Sequence, residues 1–169
     1  MSTAQHTITA LVQNEAGTLN RLVSLFRRRG FSLASMNAGD CEQEGYSRIT
    51  IVVNGDDRTL NQCVTQLEKL IDVVEVDDLK SHECLRRELA LVKFQSDSQQ
   101  RREALEVVHV LGGKVAHLAV ESMTVEFIDE PVRIDRMIAL LQPLGVVEVV
   151  RTGLVAIRVE DNLRRKGQS

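Results

Sequence analysis

The chain has 169 residues, of which 43% are hydrophobic and 27% charged, and its formal net charge is −3. This composition is typical of a globular protein and excludes disordered and collagen-like chains, which contain fewer apolar residues or a glycine repeat. The slightly acidic charge balance argues against nucleic-acid binding, because nucleic-acid binders carry a basic excess.

The chain shows no sign of membrane insertion or export. No apolar run approaches the ~20 residues that cross a bilayer, and the N-terminal MSTAQHTIT lacks the basic and then apolar segments of a signal peptide. We therefore expect a cytoplasmic protein with no membrane partner. The three cysteines, Cys41, Cys63 and Cys84, have no CxxC spacing, which argues against a disulfide framework or a zinc site.

The chain begins with a predicted strand and an amphipathic helix. Apolar residues alternate over 6–13, which is the period of a strand. An apolar stripe then recurs at the i, i+3, i+4 and i+7 spacing of a helix over about 18–29. Gly30 follows, as glycine commonly does at the end of a helix. The stripe consists of Leu19, Leu22, Val23 and Phe26.

Two strands, a helix and another strand complete the first half of the chain. The polar turn 41–45 separates strands at 31–40 and 46–54, and this pattern indicates a hairpin. Asp56 or Asp57 can cap a second amphipathic helix, and a strand follows at 73–79. The apolar stripe of this helix is Leu60, Cys63, Val64, Leu67 and Ile71.

The second half repeats this order of elements, and a Val-Val-Glu-Val motif recurs at an offset of 73 residues, at 73–76 and 146–149. Each half therefore predicts a ferredoxin-like βαββαβ unit, with two helices on one face of a four-stranded antiparallel sheet. We expect an α+β protein with tandem domains at 1–80 and 88–169 and a charged linker at 81–87. The predicted elements of the second half are strands 88–95, 114–120, 123–128 and 146–152, helices at about 99–111 and from Pro131, and an extended segment at 154–159.

A ferredoxin-like unit leaves one sheet face and an edge strand uncovered. A domain of about 75 residues also buries only a modest core. Apolar strand positions such as Leu33 and Met36 are therefore expected to be covered by a second copy of the chain. This expectation predicts a side-by-side dimer formed by the first domain.

The sequence contains no recognisable set of catalytic residues. Its four histidines are scattered and show neither HxH nor HExxH spacing, so we identify no catalytic residue and no metal site. The paired acids at 56–57 and 77–78 are explained by helix capping and solvation. RNA-binding domains of this topology carry stacking aromatic residues on the third strand, whereas here that strand has only Tyr46.

The loop between the first strand and the first helix is the candidate ligand site. Gly17 would allow close approach of a ligand to the backbone, and the N–H groups at a helix start favour a carboxylate. A tight turn with Thr18 as the N-cap explains the same residues. The run 27–29 of three arginines is either a solvated helix end or a contact for an acidic partner.

The loop Asn14-Glu15-Ala16-Gly17-Thr18-Leu19 and the helix after it resemble the ACT domain that opens the small, regulatory subunit of acetohydroxyacid synthase, also called acetolactate synthase. The resemblance extends in order through the second domain and covers residues 6 to about 160. Further matching stretches lie at 47–51, 66–73, 87–93 and 149–153.

This resemblance implies a non-catalytic protein with no cofactor of its own. Its partner would be a large subunit that carries thiamine diphosphate, Mg and FAD and condenses pyruvate with itself or with 2-oxobutyrate. The small subunit would activate this enzyme and confer feedback inhibition by valine or another branched-chain amino acid. By resemblance, the effector site comprises Asn14, Glu15, Ala16, Gly17, Thr18 and Leu19 of one chain and Ser32 and Leu33 of its dimer mate.

Position 32 departs from the family pattern, because Ser32 stands where members usually carry asparagine. This difference predicts one hydrogen bond fewer to the effector. Two other functions remain open from the residues alone. The chain would then be a free-standing amino-acid-sensing ACT protein or an enzyme without a recognisable site.

Overall fold

The computed structural model describes residues 4–79, 84–95 and 98–159. They form two compact units. The first comprises the described residues within Met1–Arg86 and Val155–Ser169, and the second comprises those within Arg87–Leu154. Each unit has the strand and helix order βαββαβ, which confirms the predicted α+β class with tandem ferredoxin-like domains.

The first domain contains a four-stranded antiparallel sheet in the order β2-β3-β1-β4, so β2 and β4 are its edges. Asp56 caps the second helix by accepting a hydrogen bond from the backbone N–H of Thr59 at 2.8 Å, as predicted. The elements are β1 (Ala4–Gln13), α1 (Thr18–Arg29), β2 (Ser32–Asp40), β3 (Tyr46–Gly55), α2 (Asp57–Leu67) and β4 (Val73–Leu79).

The core of this domain lies between the sheet and the two helices. Helix α1 contributes Leu22, Leu25 and Phe26. The predicted apolar stripe is only partly buried, because Leu19 and Val23 are 49% and 48% exposed. Helical spacing predicts an apolar face but not what covers that face.

The opposite face of the first sheet is also buried at its centre. Thr7, Thr9 and Leu11 on β1 and Thr50 and Val52 on β3 point away from the helices, yet none is more than 7% exposed. The expectation of an uncovered sheet face was therefore wrong at the centre of this sheet.

The two apolar residues expected to be covered by a second copy have different environments. Met36 faces the helices and packs against the core, because it lies opposite the buried Ile51. Leu33 lies opposite Val53 near the start of the edge strand and is 38% exposed. Of these two residues, only Leu33 is therefore available to a second copy of the chain.

The second domain has the same sheet order as the first, β6-β7-β5-β8, and β9 pairs with β5. Pro131 lies in the first turn of its helix, as predicted. The elements are β5 (Cys84–Gln95), α3 (Ser98–Val110), β6 (Lys114–Leu118), β7 (Ser122–Asp129), α4 (Pro131–Leu141), a 3₁₀ turn (Gln142–Leu144) and β8 (Val146–Arg151). The strand β9 (Val155–Arg158) belongs to the first unit, as do the first residues of β5.

Part of the predicted linker 81–87 is a strand. β5 already begins at Cys84, so residues 84–87 are extended rather than irregular, and residues 81–83 lie outside the described residues. The charges of Arg86 and Arg87 suggested a loop. Charged side chains are compatible with a strand whose backbone is paired, and β9 supplies that pairing.

The internal repeat extends to individual hydrogen bonds. β4 and β8 begin at Val73 and Val146, which is the offset of 73 residues found in the sequence. The backbone N–H of Gln13, at the end of β1, donates to the carbonyl of Asp72 at 2.8 Å. The backbone N–H of Gln95, at the end of β5, donates to the carbonyl of Gly145 at 3.0 Å. Asp72 and Gly145 are therefore equivalent positions in the two domains.

Candidate functional site

The loop of residues 14–17 connects β1 to α1 and has a conformation that depends on glycine. Gly17 occupies the N-cap position with φ of 92°, in the left-handed region that other residues rarely adopt. The alternative with Thr18 as N-cap is therefore wrong, because Thr18 is the first helical residue and is buried. Asn14, Glu15 and Ala16 are exposed.

The start of α1 offers backbone donors to this loop. The N–H of Thr18 donates to the carbonyl of Glu15 at 3.2 Å, and the N–H of Arg21 donates to the carbonyl of Gly17 at 2.9 Å. The N–H groups of Leu19 and Asn20 lie between these two in the first turn, where a helix provides no acceptor. Together with the helix dipole, such groups favour a carboxylate ligand.

An ion pair beside the loop links the start of α1 to the residue before β4. Arg21 donates from Nε to Oδ2 of Asp72, which is only 4% exposed, and from Nη2 to the hydroxyl of Thr18 at 3.4 Å. The hydrogen bond to Asp72 raises the pKa of the Arg21 guanidinium. The N–H of Asn14 donates to the carbonyl of Gly45 at 2.8 Å, which fastens the other end of the loop to the β2–β3 turn.

Sequence reasoning missed Arg21 and Asp72 as parts of the site. The two residues are 51 positions apart, and no local pattern connects them. The one available signal was an acid between apolar residues, Ile71-Asp72-Val73, immediately before a buried strand. A carboxylate in such a position needs a partner, because burying an unpaired charge is costly.

Ser32 and Leu33 lie at the other end of the sheet from the loop. Ser32 is opposite Asn54, whose side-chain amide donates to the Ser32 hydroxyl at 3.2 Å, and Asn54 is opposite Gln5 near the start of β1. The loop begins after Gln13 at the end of β1. Eight strand residues separate these ends, or about 27 Å at about 3.4 Å per residue. One chain does not bring the two halves of the expected effector site together.

Exposed or half-exposed apolar residues of the first domain occur on α1, on the edge strand β2 and on the other edge strand, β4, where Val74 is 56% exposed. Leu19 and Val23 are one helical turn apart, and Leu33 lies just beyond the end of α1. The outer edge of β2 also presents backbone N–H and C=O groups that β3 does not use. These features form a surface suited to a second copy of the same domain.

The second domain contains an ion cluster of a different kind, in which only Glu88 is buried. Arg151 on β8 donates to both carboxylate oxygens of Glu88 on β5, at 2.9 and 2.6 Å, and to Asp135 on α4 at 2.6 Å. These contacts raise the pKa of the Arg151 guanidinium, with the hydrogen bond to Glu88 as the largest cause. The cluster joins two strands and a helix, so its role is to hold the domain together.

The described ranges 4–79, 84–95 and 98–159 give no indication of metal-dependent chemistry. Within these ranges, no three His, Cys, Asp or Glu side chains are grouped so as to hold a metal ion. Burial raises the pKa of the Cys63 thiol to about 12, which leaves almost no thiolate at neutral pH. No helix in these ranges is long and apolar enough to cross a membrane.

Comparison with known proteins gives concordant matches for both domains. A family model for the small subunit of acetolactate synthase matches residues 87–160, and an ACT domain model matches residues 14–76. The acetolactate synthase small subunit of Mycolicibacterium smegmatis is 37% identical over 155 residues, which cover 92% of this chain and 91% of that protein. That of Aquifex aeolicus is 37% identical over 163 residues, covering 96% and 85%.

A solved structure agrees with these sequence matches. The crystal structure of the acetolactate synthase small subunit from Thermotoga maritima has a TM-score of 0.88 to this chain at 32% sequence identity. The match covers 94% of this chain and 99% of that one. The chain therefore belongs to the family of acetolactate synthase small subunits, which are regulatory and non-catalytic.

Proposed function

We propose that this chain binds the catalytic subunit of acetolactate synthase, raises its activity and transmits feedback inhibition by valine or another branched-chain amino acid. The carboxylate of the effector would bind the loop of residues 14–17 and the start of α1. The thiamine diphosphate, Mg and FAD of the reaction would belong to the catalytic subunit. Family membership supports the partner, and the geometry of the first domain supports the effector site.

The observation that carries the effector site is the left-handed Gly17 at the start of α1, where backbone N–H groups of the first helical turn have no helical acceptor. The two halves of the expected site are separated within one chain. A second copy resolves this separation if the two β2 strands pair antiparallel along their full length. Ser32 of one strand then lies opposite Asp40 of the other. In the sheet, Asp40 pairs with Ser47, and Ser47 pairs with Val12, which lies two residues before the loop begins. Dimerisation would therefore complete two equivalent effector sites.

The chemistry of the two halves suits an aliphatic amino acid. The loop half offers backbone N–H groups and the positive end of a helix dipole to a carboxylate. The strand half offers the hydroxyl of Ser32 and the half-exposed side chain of Leu33. A ligand shared by two protomers stabilises one dimer arrangement, and it inhibits by binding that arrangement more tightly than the activating one.

Reconstitution with the purified large subunit tests the proposal. Alone, the small chain should form no acetolactate from pyruvate, because its sequence contains no recognisable set of catalytic residues. Added to the large subunit, it should raise the rate several-fold, and valine, leucine and isoleucine titrated separately should identify the effector. Acetolactate formation by the pure small chain, or failure to bind and activate the large subunit, would contradict the proposal. In the second case, a free-standing amino-acid sensor becomes the better interpretation.

A further inference from the structure

Asp72 fastens both ends of the effector loop. Its carbonyl accepts a hydrogen bond from Gln13, the last residue before the loop, and its carboxylate accepts one from Arg21 in the first turn after the loop. The guanidinium of Arg21 also contacts the Thr18 hydroxyl, and its Nη1 lies 3.2 Å from the position that a Cβ on Gly17 would occupy. The buried Asp72 is thus hydrogen-bonded both to the residue before the loop and to the first turn of the helix after it.

The second domain indicates that the fold itself does not need this ion pair. It has the same strand order and the equivalent backbone hydrogen bond, from Gln95 to Gly145. Glycine has no carboxylate, so this position there supplies only its carbonyl. The acid at position 72 and its pairing with Arg21 are therefore additions to a scaffold that forms without them.

We propose that Arg21 and Asp72 are positioning residues that hold the loop of residues 14–17 in the conformation that binds the carboxylate of an amino-acid effector. This inference rests on the effector site proposed above and goes beyond it by assigning two residues outside the loop. The loop is exposed, and its other described hydrogen bonds run between backbone groups, among them those from Asn14 to Gly45 and from Thr18 to Glu15. If only a fraction of molecules has the binding conformation, the apparent affinity falls by that fraction.

Three variants test the assignment. Asp72→Asn keeps the shape and the carbonyl but removes the charge that holds Arg21. Asp72→Gly installs the residue that the second domain carries at the equivalent position. Arg21→Lys keeps the positive charge but loses the planar group that contacts Asp72 and Thr18 together. We expect valine affinity to fall about tenfold in Asp72→Asn, equivalent to about 1.4 kcal/mol, at least as much in Asp72→Gly and less in Arg21→Lys.

Glu88→Gln is the matched control. Glu88 is also a 4% exposed carboxylate paired with an arginine, but it lies in the second domain. Its loss should lower thermal stability without changing the affinity for valine. A purely structural role for Asp72 would make Asp72→Asn behave in the same way. The comparison of the two variants therefore separates positioning of the loop from general stability.

The measurements are valine titrations by calorimetry on the full-length chain, valine inhibition of the holoenzyme and thermal unfolding of each variant. A wild-type chain that neither binds a branched-chain amino acid nor confers inhibition would overturn the proposed effector site itself. A wild-type chain that binds valine, with Asp72→Asn and Asp72→Gly within twofold of it, would overturn only the positioning role. Weaker binding by both Asp72 variants, with Glu88→Gln unchanged, would support it.

Discussion

The two domains share one topology but differ in the turn between the first strand and the first helix. In the first domain, four residues separate Gln13 from Thr18, and the turn uses a left-handed glycine and an ion pair to a buried acid. In the second, only two residues separate Gln95 from Ser98. The first domain therefore has a longer connection at this place than the second. The same scaffold thus permits a binding site in one domain without requiring it in the other.

The domains also place their buried acids differently. Asp72 lies under the loop and is paired with the first turn of α1, whereas Glu88 is paired between two strands and a helix. A buried carboxylate with an arginine partner is therefore not a functional signal by itself. Its position relative to a loop decides whether it restrains the scaffold or a site. This contrast makes the second domain an internal control for the first.

The largest expected effect tests whether equivalent core positions contribute equally. Val12 and Phe94 occupy the same place in the two sheets, opposite Val73 and Val146, and both are fully buried. Phe94→Ala should lower the free energy of unfolding by about 3–5 kcal/mol, because it leaves a large cavity. Val12→Ala removes fewer atoms and should cost roughly 2 kcal/mol. Chemical denaturation of both variants checks the order, and equal losses would show that the surroundings of Phe94 collapse into the gap.

The next effect concerns the loop. Gly17→Asp places a side chain at φ of 92° and a carboxylate beside the proposed carboxylate site, where it also competes for Arg21. Strain of this kind costs about 1–3 kcal/mol, and like-charge repulsion adds to it. We expect valine sensitivity to fall at least about 100-fold in the reconstituted enzyme.

Gly112→Asp provides the comparison for Gly17→Asp. Gly112 also has a positive φ, of 76°, and open space around an added Cβ, but it lies after α3, the first helix of the second domain. It should retain valine inhibition. Full sensitivity in Gly17→Asp would mean that the loop is only a turn, and loss of sensitivity in both variants would point to backbone strain rather than to a ligand site.

A third effect tests which edge pairs with a second copy. Val23→Asp adds a charge to the half-exposed apolar face of α1, and Leu118→Asp does so on β6, the edge strand of the second domain. Burying an unpaired charge is costly, so we expect Val23→Asp to weaken the dimer at least about tenfold and Leu118→Asp to leave it unchanged. Sedimentation over a range of concentrations measures both. If instead Leu118→Asp weakened the dimer and Val23→Asp did not, the dimer interface would lie in the second domain.

Much of the fold could be predicted because its signals are local. Strand and helix periods, the Asp56 cap and the repeat at an offset of 73 all lie within short stretches of sequence. Leu19 and Val23 of the helix stripe are half-exposed, because helical spacing identifies apolar positions but not which of them the core covers. Local signals define such a face, whereas its neighbours are set by the rest of the fold.

The candidate site was predicted less completely than the fold. The loop itself was recognised from glycine and the helix start, which are neighbours in sequence. The pairing of Arg21 with Asp72 was missed, because it joins residues 51 positions apart. The start of β5 at Cys84 was also missed, because pairing with β9, and not local composition, makes that charged segment a strand.

The smallest expected effect concerns Ser32 on the other half of the site. Its hydroxyl accepts a hydrogen bond from the side chain of Asn54 and keeps its own O–H to donate, but the serine side chain is short. Asparagine would reach further and offer both a donor and an acceptor. A net hydrogen bond contributes about 0.5–1.5 kcal/mol, so Ser32→Asn should bind valine roughly 2- to 12-fold more tightly than the native chain.

Ser32→Ala is the control for Ser32→Asn, because it removes the hydroxyl without adding a longer side chain. If Ser32 contributes no contact to the effector, Ser32→Ala should match the native chain, whereas Ser32→Asn should still gain affinity. Valine inhibition of the reconstituted enzyme, with activation measured before valine is added, gives both comparisons in one titration. Equal or weaker inhibition of Ser32→Asn would mean that position 32 does not face the ligand or that a water already bridges the gap. Tighter inhibition would indicate that the start of β2 contacts a ligand bound by the loop of the other chain. Two chains are needed because the two halves of the site lie about 27 Å apart within one chain, at about 3.4 Å per strand residue.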